Sequence, residues 1–293
     1  MKRITYIDRK TQELVEEKPP GEAFLRFLYH HPLGKLPLES VAKRKMLTSF
    51  YGRLMNRHTS ARWIRPFVKA YGIDMEEAAQ ELSAYRTFNE FFYRKLKPGA
   101  RPIGEGLVSP GDGKLAAFAR IREVGDFFIK GESFRLRDFL QDDALTERYE
   151  SGAMYILRLA PPDYHRFHFP YSGIAAAPKK IRGKYYSVSP YAVQGNFARV
   201  FCQNKRDIVR LQTPDKGMVL VCPVGATMVG SILHTYQGDS TVTKGDEMGY
   251  FAFGGSTIVL LIEEGQVSID ADLLENTRRG LETAVRMGER IGE

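Results

Sequence analysis

Phe253-Gly254-Gly255-Ser256-Thr257 runs directly into Ile258-Val259-Leu260-Leu261-Ile262. Two glycines thus deliver a hydroxyl to the mouth of an apolar, β-branched strand. Glycine has no Cβ, so the backbone here reaches conformations closed to other residues, and another group can approach the Gly255 carbonyl closely. A serine in this position has three readings. It ends a tight turn, it attacks a substrate as a conventional nucleophile, or it attacks the peptide bond that precedes it. The rest of the chain decides among them.

With 43% hydrophobic and 27% charged residues in 293, the composition is that of a globular protein with one large domain or two. Cys202 and Cys222 form no CxxC pair, which argues against a metal knuckle and a disulfide framework. Residues 1–18 are studded with charge, so no secretory signal is expected, and no run approaches the ~20 apolar residues of a membrane span. The expected place is the cytoplasm, or a membrane approached from its cytoplasmic side. The net charge of +8 is uneven: residues 1–72 hold 15 Lys/Arg against 6 Asp/Glu, and the remainder is close to neutral. That asymmetry points to an anionic partner for the N-terminal quarter.

This quarter reads as helical. Phe24, Leu25, Phe27 and Leu28 cluster in residues 22–31, and Ser40 is a plausible cap for the next helix. There Leu47, Phe50, Tyr51, Leu54 and Met55 form one apolar stripe flanked by Lys43, Arg44, Lys45, Arg53 and Arg57. A third element carries Trp63, Ile64, Phe67, Val68 and Tyr71 beside Arg62, Arg65 and Lys69, with Pro66 either in its first turn or kinking it and Gly72 as its stop. These are either ordinary packed helices or a basic amphipathic platform for an anionic bilayer. Nucleic acid fits less well, because no helix-turn-helix, zinc-finger or RNP-type pattern is present. Asp74-x-x-Glu77 and Thr87-x-x-Glu90 have the form of capping boxes, the second opening a helix over 88–96. Ala100-Arg101-Pro102 then reads as a linker.

From about residue 106 the pattern turns to short strands and glycines. Asp112-Gly113 is a hairpin signal. Residues 127–132 and 242–251 echo each other as apolar-Lys-Gly-acid turns, which fits two halves of a sandwich-like barrel bringing Asp112 and Ser256 together. Residues 221–232 read as buried strands. Two of the six histidines, His165 and His168, sit three apart in Asp163-Tyr164-His165-Arg166-Phe167-His168-Phe169-Pro170. On a helical turn that spacing would share a face, so both imidazoles could enter one pocket. Zinc needs three or four ligands, and nothing is spaced to complete a set, so no metal is expected. His30, His31, His58 and His234 read as structural or surface residues. An Asp in a glycine turn, a His pair and a Ser after two glycines are the parts of an Asp–His–Ser relay, here Asp112, His168 and Ser256. The GxSxG elbow is absent.

The chain resembles the phosphatidylserine decarboxylase proenzymes, pyruvoyl-dependent lyases. The resemblance covers nearly the whole length. It rests on Phe88-Asn89-Glu90-Phe91-Phe92-Tyr93-Arg94-Lys95-Leu96-Lys97-Pro98, Ser109-Pro110-Gly111-Asp112-Gly113, the segment from Asp163 to Pro170, Val224-Gly225-Ala226 with Val229-Gly230-Ser231-Ile232, and Lys244-Gly245-Asp246-Glu247-Met248-Gly249-Tyr250-Phe251 leading into Gly254-Gly255-Ser256-Thr257. Many relatives have Leu at position 254 and Ala at 111, departures that touch no reactive atom.

The resemblance implies an α+β fold. A helical, basic, membrane-associating region over 1–104 would precede a mostly β, sandwich- or barrel-like catalytic domain over 105–293. It implies that His168, oriented by Asp112, deprotonates Ser256, which attacks the Gly255 carbonyl. The products would be a β chain of residues 1–255 and an α chain of 256–293, held as a heterodimer. Ser256 would become a covalent pyruvoyl cofactor that forms a Schiff base with phosphatidylserine and serves as electron sink when CO2 leaves, giving phosphatidylethanolamine. His165 is implicated in positioning substrate or protonating the product, and Thr257 in polarising the scissile bond. The expected location is peripheral on the cytoplasmic side of the cell membrane, with homo-oligomerisation left open. Other readings are a pyruvoyl-dependent decarboxylase of a soluble amino acid, a serine hydrolase with the same triad, and a non-catalytic membrane scaffold.

Overall fold

The computed structural model describes residues 5–17, 52–124, 135–184, 202–225, 231–252 and 256–293. The expected helix over 22–31, most of the next one, the 127–132 turn and the Phe253, Gly254 and Gly255 junction lie outside the described residues.

In chain order the first strands are β1 (Thr5–Asp8), β2 (Leu14–Glu16), β3 (Leu107–Val108), β4 (Gly113–Phe118) and β5 (Ala153–Leu159). Then come β6 (Arg166–His168), β7 (Gly173–Ala175), β8 (Lys179–Ile181), β9 (Arg206–Gln212), β10 (Met218–Val224) and β11 (Ile232–His234). The last are β12 (Ser240–Val242), β13 (Glu247–Phe251), β14 (Ser256–Ile262), β15 (Glu282–Val285) and β16 (Arg290–Gly292). The helices that matter here are α1 (Ile64–Tyr71), α2 (Phe88–Phe92), α3 (Leu136–Leu140), α4 (Asp143–Tyr149) and α5 (Ala271–Arg278).

The run after Ser256 forms a strand because β-branched and aliphatic side chains suit a pleated, fully covered surface. All seven residues of β14 are buried. It is central to an 11-stranded sheet ordered β12-β7-β9-β10-β14-β5-β4-β15-β1-β2, with β8 on β9. Only β1 and β15 run parallel, so the sheet is mixed.

Each face of this sheet has its own cover. On one, α3 and α4 pack Phe139, Leu140, Leu145 and Tyr149 against Met154, Ile156, Cys222, Val259 and Leu261. On the other lies a three-stranded sheet, β11-β13-β6, whose Phe167, Met248 and Phe251 meet Leu157, Val221, Ile258 and Leu260. Gly249 makes this small sheet possible, because a Cβ there would sit 2.7 Å from the Phe167 ring and 2.2 Å from the Leu233 carbonyl. Met55, Ile64, Tyr85, Phe88, Phe91 and Phe92 form a third, separate cluster that holds α1 and α2.

The architecture is therefore mixed α and β, dominated by one large mixed sheet with few helices. No helix among the described residues is long and apolar enough to cross a membrane.

Several local expectations are corrected. Thr87 does cap α2, its side chain accepting from Glu90 N–H at 3.1 Å, but the helix ends at Phe92 rather than Leu96. Beyond it the chain straightens to pair with residues 77–79, through Ala79 N–H to Lys95 and Lys97 N–H to Glu77. Asp74-x-x-Glu77 opens no helix. Asp74 instead closes a turn onto Glu76 N–H at 2.8 Å, and Glu77 is used as an ion-pair partner. The Asp112-Gly113 turn is not a hairpin either: β3 pairs with β16, whereas β4 pairs with β5 and β15, so the turn passes between sheets. The third N-terminal element is as expected. Pro66 sits in the first turn of α1, and Gly72 ends it in the left-handed region at φ 60°.

Candidate active site

Ser256 begins β14, opposite Leu159 of β5; Thr257 stands opposite Arg158 and, on the other side, Val224. Side chains alternate along a strand, so Ser256 shares the face of Ile258 and Leu260, under the small sheet, and Thr257 faces the other way. Both residues are 0% exposed, and neither hydroxyl has a hydrogen-bond partner among the described residues. A buried hydroxyl without a partner costs about 1–3 kcal/mol, so two in succession at a strand end mark a place kept for something other than stability.

The elements that carry the other expected residues converge on this strand end. His168 N–H donates to the Pro110 carbonyl at 2.8 Å, tying β6 to the turn that bears Asp112. That turn packs on the sheet at Gly111, where a Cβ would lie 3.5 Å from Leu157 and 3.6 Å from Ile258. Phe251 N–H donates to the His165 carbonyl at 2.9 Å, so the chain leaving β13 toward Ser256 is stitched to the histidine segment.

The two histidines do not share a helical face. His168 belongs to strand β6 and His165 lies immediately before it, and positions three apart in an extended chain point to opposite sides. The His165 ring lies on Phe92 with centroids 3.9 Å apart, and its Nδ1 meets the Asp163 carbonyl at 2.9 Å. His168 Nδ1 meets the Gly245 carbonyl at 2.8 Å. A carbonyl only accepts, so Nδ1 carries the proton and Nε2 presents its lone pair to the Tyr164 hydroxyl at 3.1 Å. Burial lowers the His168 pKa and Arg166 adds to this, against the Gly245 bond and the charges of Glu247 and Asp112. The imidazole is thereby kept neutral and basic at neutral pH.

Asp112 does not supply the orienting bond expected of it. Its carboxylate accepts two-pronged from Arg101, at 2.7 and 3.0 Å, and from Met287 N–H at 2.8 Å. Arg101 also pairs with Glu77 at 2.8 Å, which pairs in turn with Arg286 at 2.9 Å. Burial would lower the Arg101 pKa, but the bonds and charges of Asp112 and Glu77 more than offset it and raise it. Asp112 thus acts on His168 through space, while the Gly245 carbonyl orients the ring.

Sequence reasoning missed this use of Gly245, along with Tyr164 and Arg101. Tyr164 was visible as the aromatic one helical turn before His168. Arg101 gave no signal, because it stands in what reads as a linker. His234 takes the structural of its two expected places, its Nε2 lying 2.9 Å from the buried Asp207 carboxylate. Among the described residues no group of His, Cys, Asp or Glu is arranged to hold a metal ion.

A family model described as phosphatidylserine decarboxylase matches residues 88–293. The phosphatidylserine decarboxylase proenzyme of Fusobacterium nucleatum is 49% identical over 293 residues, covering 99% of this chain and 97% of the relative. The chain belongs to the phosphatidylserine decarboxylase family. Proenzymes of the same description from Desulfitobacterium hafniense (strain DCB-2) and Clostridium botulinum (strain Alaska E43) are 44% and 43% identical over 292 residues, each covering 99% of this chain and 98% of the relative. Similarity along the full length decides against the soluble-substrate, hydrolase and scaffold readings. The activity is that of a carboxy-lyase of phospholipid biosynthesis, made as a proenzyme and carrying a serine-derived pyruvoyl group. Its substrate is phosphatidylserine, and the precursor is cleaved into two chains.

Tyr164→Phe removes a donor that favours neutral His168, so the imidazole should titrate at higher pH than in the unsubstituted protein. Histidine resonances followed by NMR through the titration check this; an unmoved His168 would rule out the Tyr164 hydrogen bond.

Proposed function

We propose that the pyruvoyl group of this decarboxylase is made from Ser256 by cleavage of the Gly255–Ser256 bond. The observation that carries this reading is the buried Ser256 hydroxyl, without a partner among the described residues, at the start of a central strand. Such a side chain is poorly placed for free diffusion of substrate and well placed to meet its own backbone.

In this reading His168 Nε2 takes the serine proton, directly or through the Tyr164 hydroxyl. Asp112 stabilises the cationic ring from a distance, and the Gly245 carbonyl holds its orientation. The Ser256 oxygen bonds to the Gly255 carbonyl carbon, the peptide C–N bond breaks, and the proton passes to the freed Ser256 nitrogen. Loss of the Ser256 α-proton then expels the Gly255 carboxylate from Cβ. The resulting dehydroalanine tautomerises, adds water and releases ammonia. Residues 1–255 and 256–293 are the two chains.

The bound pyruvoyl supplies an electrophilic carbonyl and a sink for the electron pair left when carboxylate departs. His165, backed by Phe92 and held by the Asp163 carbonyl, positions the substrate or returns a proton to the α-carbon. Thr257 has the same unpartnered burial as Ser256 and is suited to polarise the scissile bond.

We further propose that residues 1–104 form a membrane-associating region and 105–293 the catalytic domain, with β1 and β2 of the first region adding strands to the sheet of the second rather than extending a helical platform. Around α1, Arg53, Arg57, Arg62, Arg65 and Lys69 are exposed, with Trp63 beneath the Arg62 guanidinium at 5.3 Å. Each such cation near an anionic surface adds about 1 kcal/mol, enough together for reversible docking on the cytoplasmic leaflet without a span. Such an enzyme reaches a diacyl substrate in place.

Ser256→Ala should remain one uncut, inactive chain, and His168→Ala and Asp112→Ala should cleave far more slowly, by about 10²-fold or more for the base. Denaturing gels and mass spectrometry for a blocked fragment beginning at position 256 check this; normal maturation of any of the three refutes its role. His165→Ala should cleave at least partly yet decarboxylate poorly, and a fully active variant would remove it from the chemistry. Sedimentation with anionic vesicles should weaken as salt rises; salt-independent binding would mean apolar insertion instead.

A further inference from the structure

Five basic side chains are buried among the described residues: Arg94, Lys114, Arg158, Arg166 and Arg206. Four have their charge or donors accounted for. Lys114 pairs with Asp163 at 2.9 Å, Arg158 with Glu17 and Glu282 at 2.6 and 2.5 Å, and Arg166 with Glu247 at 2.8 Å. Arg206 has no carboxylate, but it donates to the carbonyls of Phe139, Cys202, Asn204 and Asp138 at 2.7–3.0 Å.

Arg94 is the exception. It is 6% exposed, donates once, from Nη2 to the Pro162 carbonyl at 3.2 Å, and lies with Cζ 5.1 Å from the Phe91 ring centroid. A guanidinium has five N–H donors, so most of this one is unused. Burial lowers its pKa, and Asp112 and Asp163 oppose that only through space. A desolvated cation with so little compensation is costly unless an anion completes it.

Its place suggests which anion. Pro162 is three residues before His165, and Phe92, two residues before Arg94, is the ring that backs His165. The neighbouring Tyr93 carbonyl accepts from Arg166 at 2.9 Å, so the backbone beside Arg94 is fixed to the histidine segment.

We propose that Arg94 is the binding residue for the phosphodiester of the phosphatidylserine headgroup. The inference rests on the decarboxylase reading of the His165 region. The other anion of the substrate, its carboxylate, is a poor occupant. An ion pair to the group that leaves as neutral CO2 would stabilise the ground state more than the transition state and slow the reaction. The phosphodiester keeps its charge throughout, so binding it lowers KM without opposing the chemistry. Guanidinium also matches two phosphate oxygens at once, which lysine does not.

The test uses the self-cleaved full-length enzyme with a dispersed short-chain phosphatidylserine. Arg94→Gln should raise KM by about 10- to 100-fold, the usual weight of a charge-assisted bidentate contact, with kcat within about 3-fold. Arg94→Lys should recover part of the loss. Inorganic phosphate should compete with substrate in the unsubstituted enzyme and about 10-fold less well in Arg94→Gln. An analogue with a neutral carbonate in place of the phosphodiester should be handled alike by both.

An unchanged KM, or unchanged inhibition by phosphate, overturns the proposal. A loss confined to kcat assigns Arg94 to the carboxylate or to catalysis and overturns it too. Should Arg94→Gln not mature, the same KM and phosphate readouts on Arg94→Lys decide. Mass spectrometry at position 256 stands apart. A cleaved, active Arg94→Gln with ordinary KM sinks only the Arg94 assignment, while an active uncut enzyme sinks only the Ser256 reading.

Discussion

A seven-residue strand with no exposed side chain, starting with a hydroxyl that has no partner among the described residues, is the constraint around which this molecule is built. β14 is hydrogen-bonded on both sides, to β5 and β10, and covered on both faces by separate cores. The ladder and the apolar run after Ser256 hold the serine in place. The unfavourable burial of two hydroxyls is thereby carried by the strand's other residues. A serine on a loop would rotate into water and satisfy itself there.

The same layering explains why the charged groups near the site are so numerous. Lys114 and Arg158 sit on adjacent strands of the large sheet, opposite each other, with Thr257 in the next position of that row. Their carboxylate partners come from as far away in sequence as Glu17 and Glu282. Both of these buried cations are neutralised within hydrogen-bonding distance, as low-dielectric surroundings favour. Asp112 belongs to this system: Arg101 and the Met287 amide fix its carboxylate in place, and it acts on His168 through space. Orientation and electrostatic support, which a catalytic triad vests in one aspartate, are here divided between a carbonyl and a carboxylate.

The small β11-β13-β6 sheet links the two halves of the site. It bears His168 on one edge strand, and its middle strand, β13, leads to Ser256. The pairing of its own three strands depends on Gly249, where any side chain would strike Phe167 and the Leu233 carbonyl. The aromatic cluster of α1 and α2 meets the same segment through Phe92 on His165 and Arg94 on the Pro162 carbonyl.

Much of this was legible in the chain itself. The central strand followed from an unbroken apolar, β-branched run. The α1 helix followed from its stripe, Pro66 and Gly72, and the switch to short strands after residue 106 from glycine spacing. Asp112, His168 and Ser256, the residues proposed for processing, stood out because each sits in a short motif of unusual composition. Local pattern could not assign partners. Nothing in the local pattern around Asp112 tells that it will face Arg101 and Met287, or that Gly245 will orient His168, since such contacts form only when the fold brings turns and loops together. Helical spacing misread His165 and His168 for the same reason. Intrinsic periodicity is a property of the segment, but whether a segment is extended or coiled is decided by which neighbours offer it hydrogen bonds.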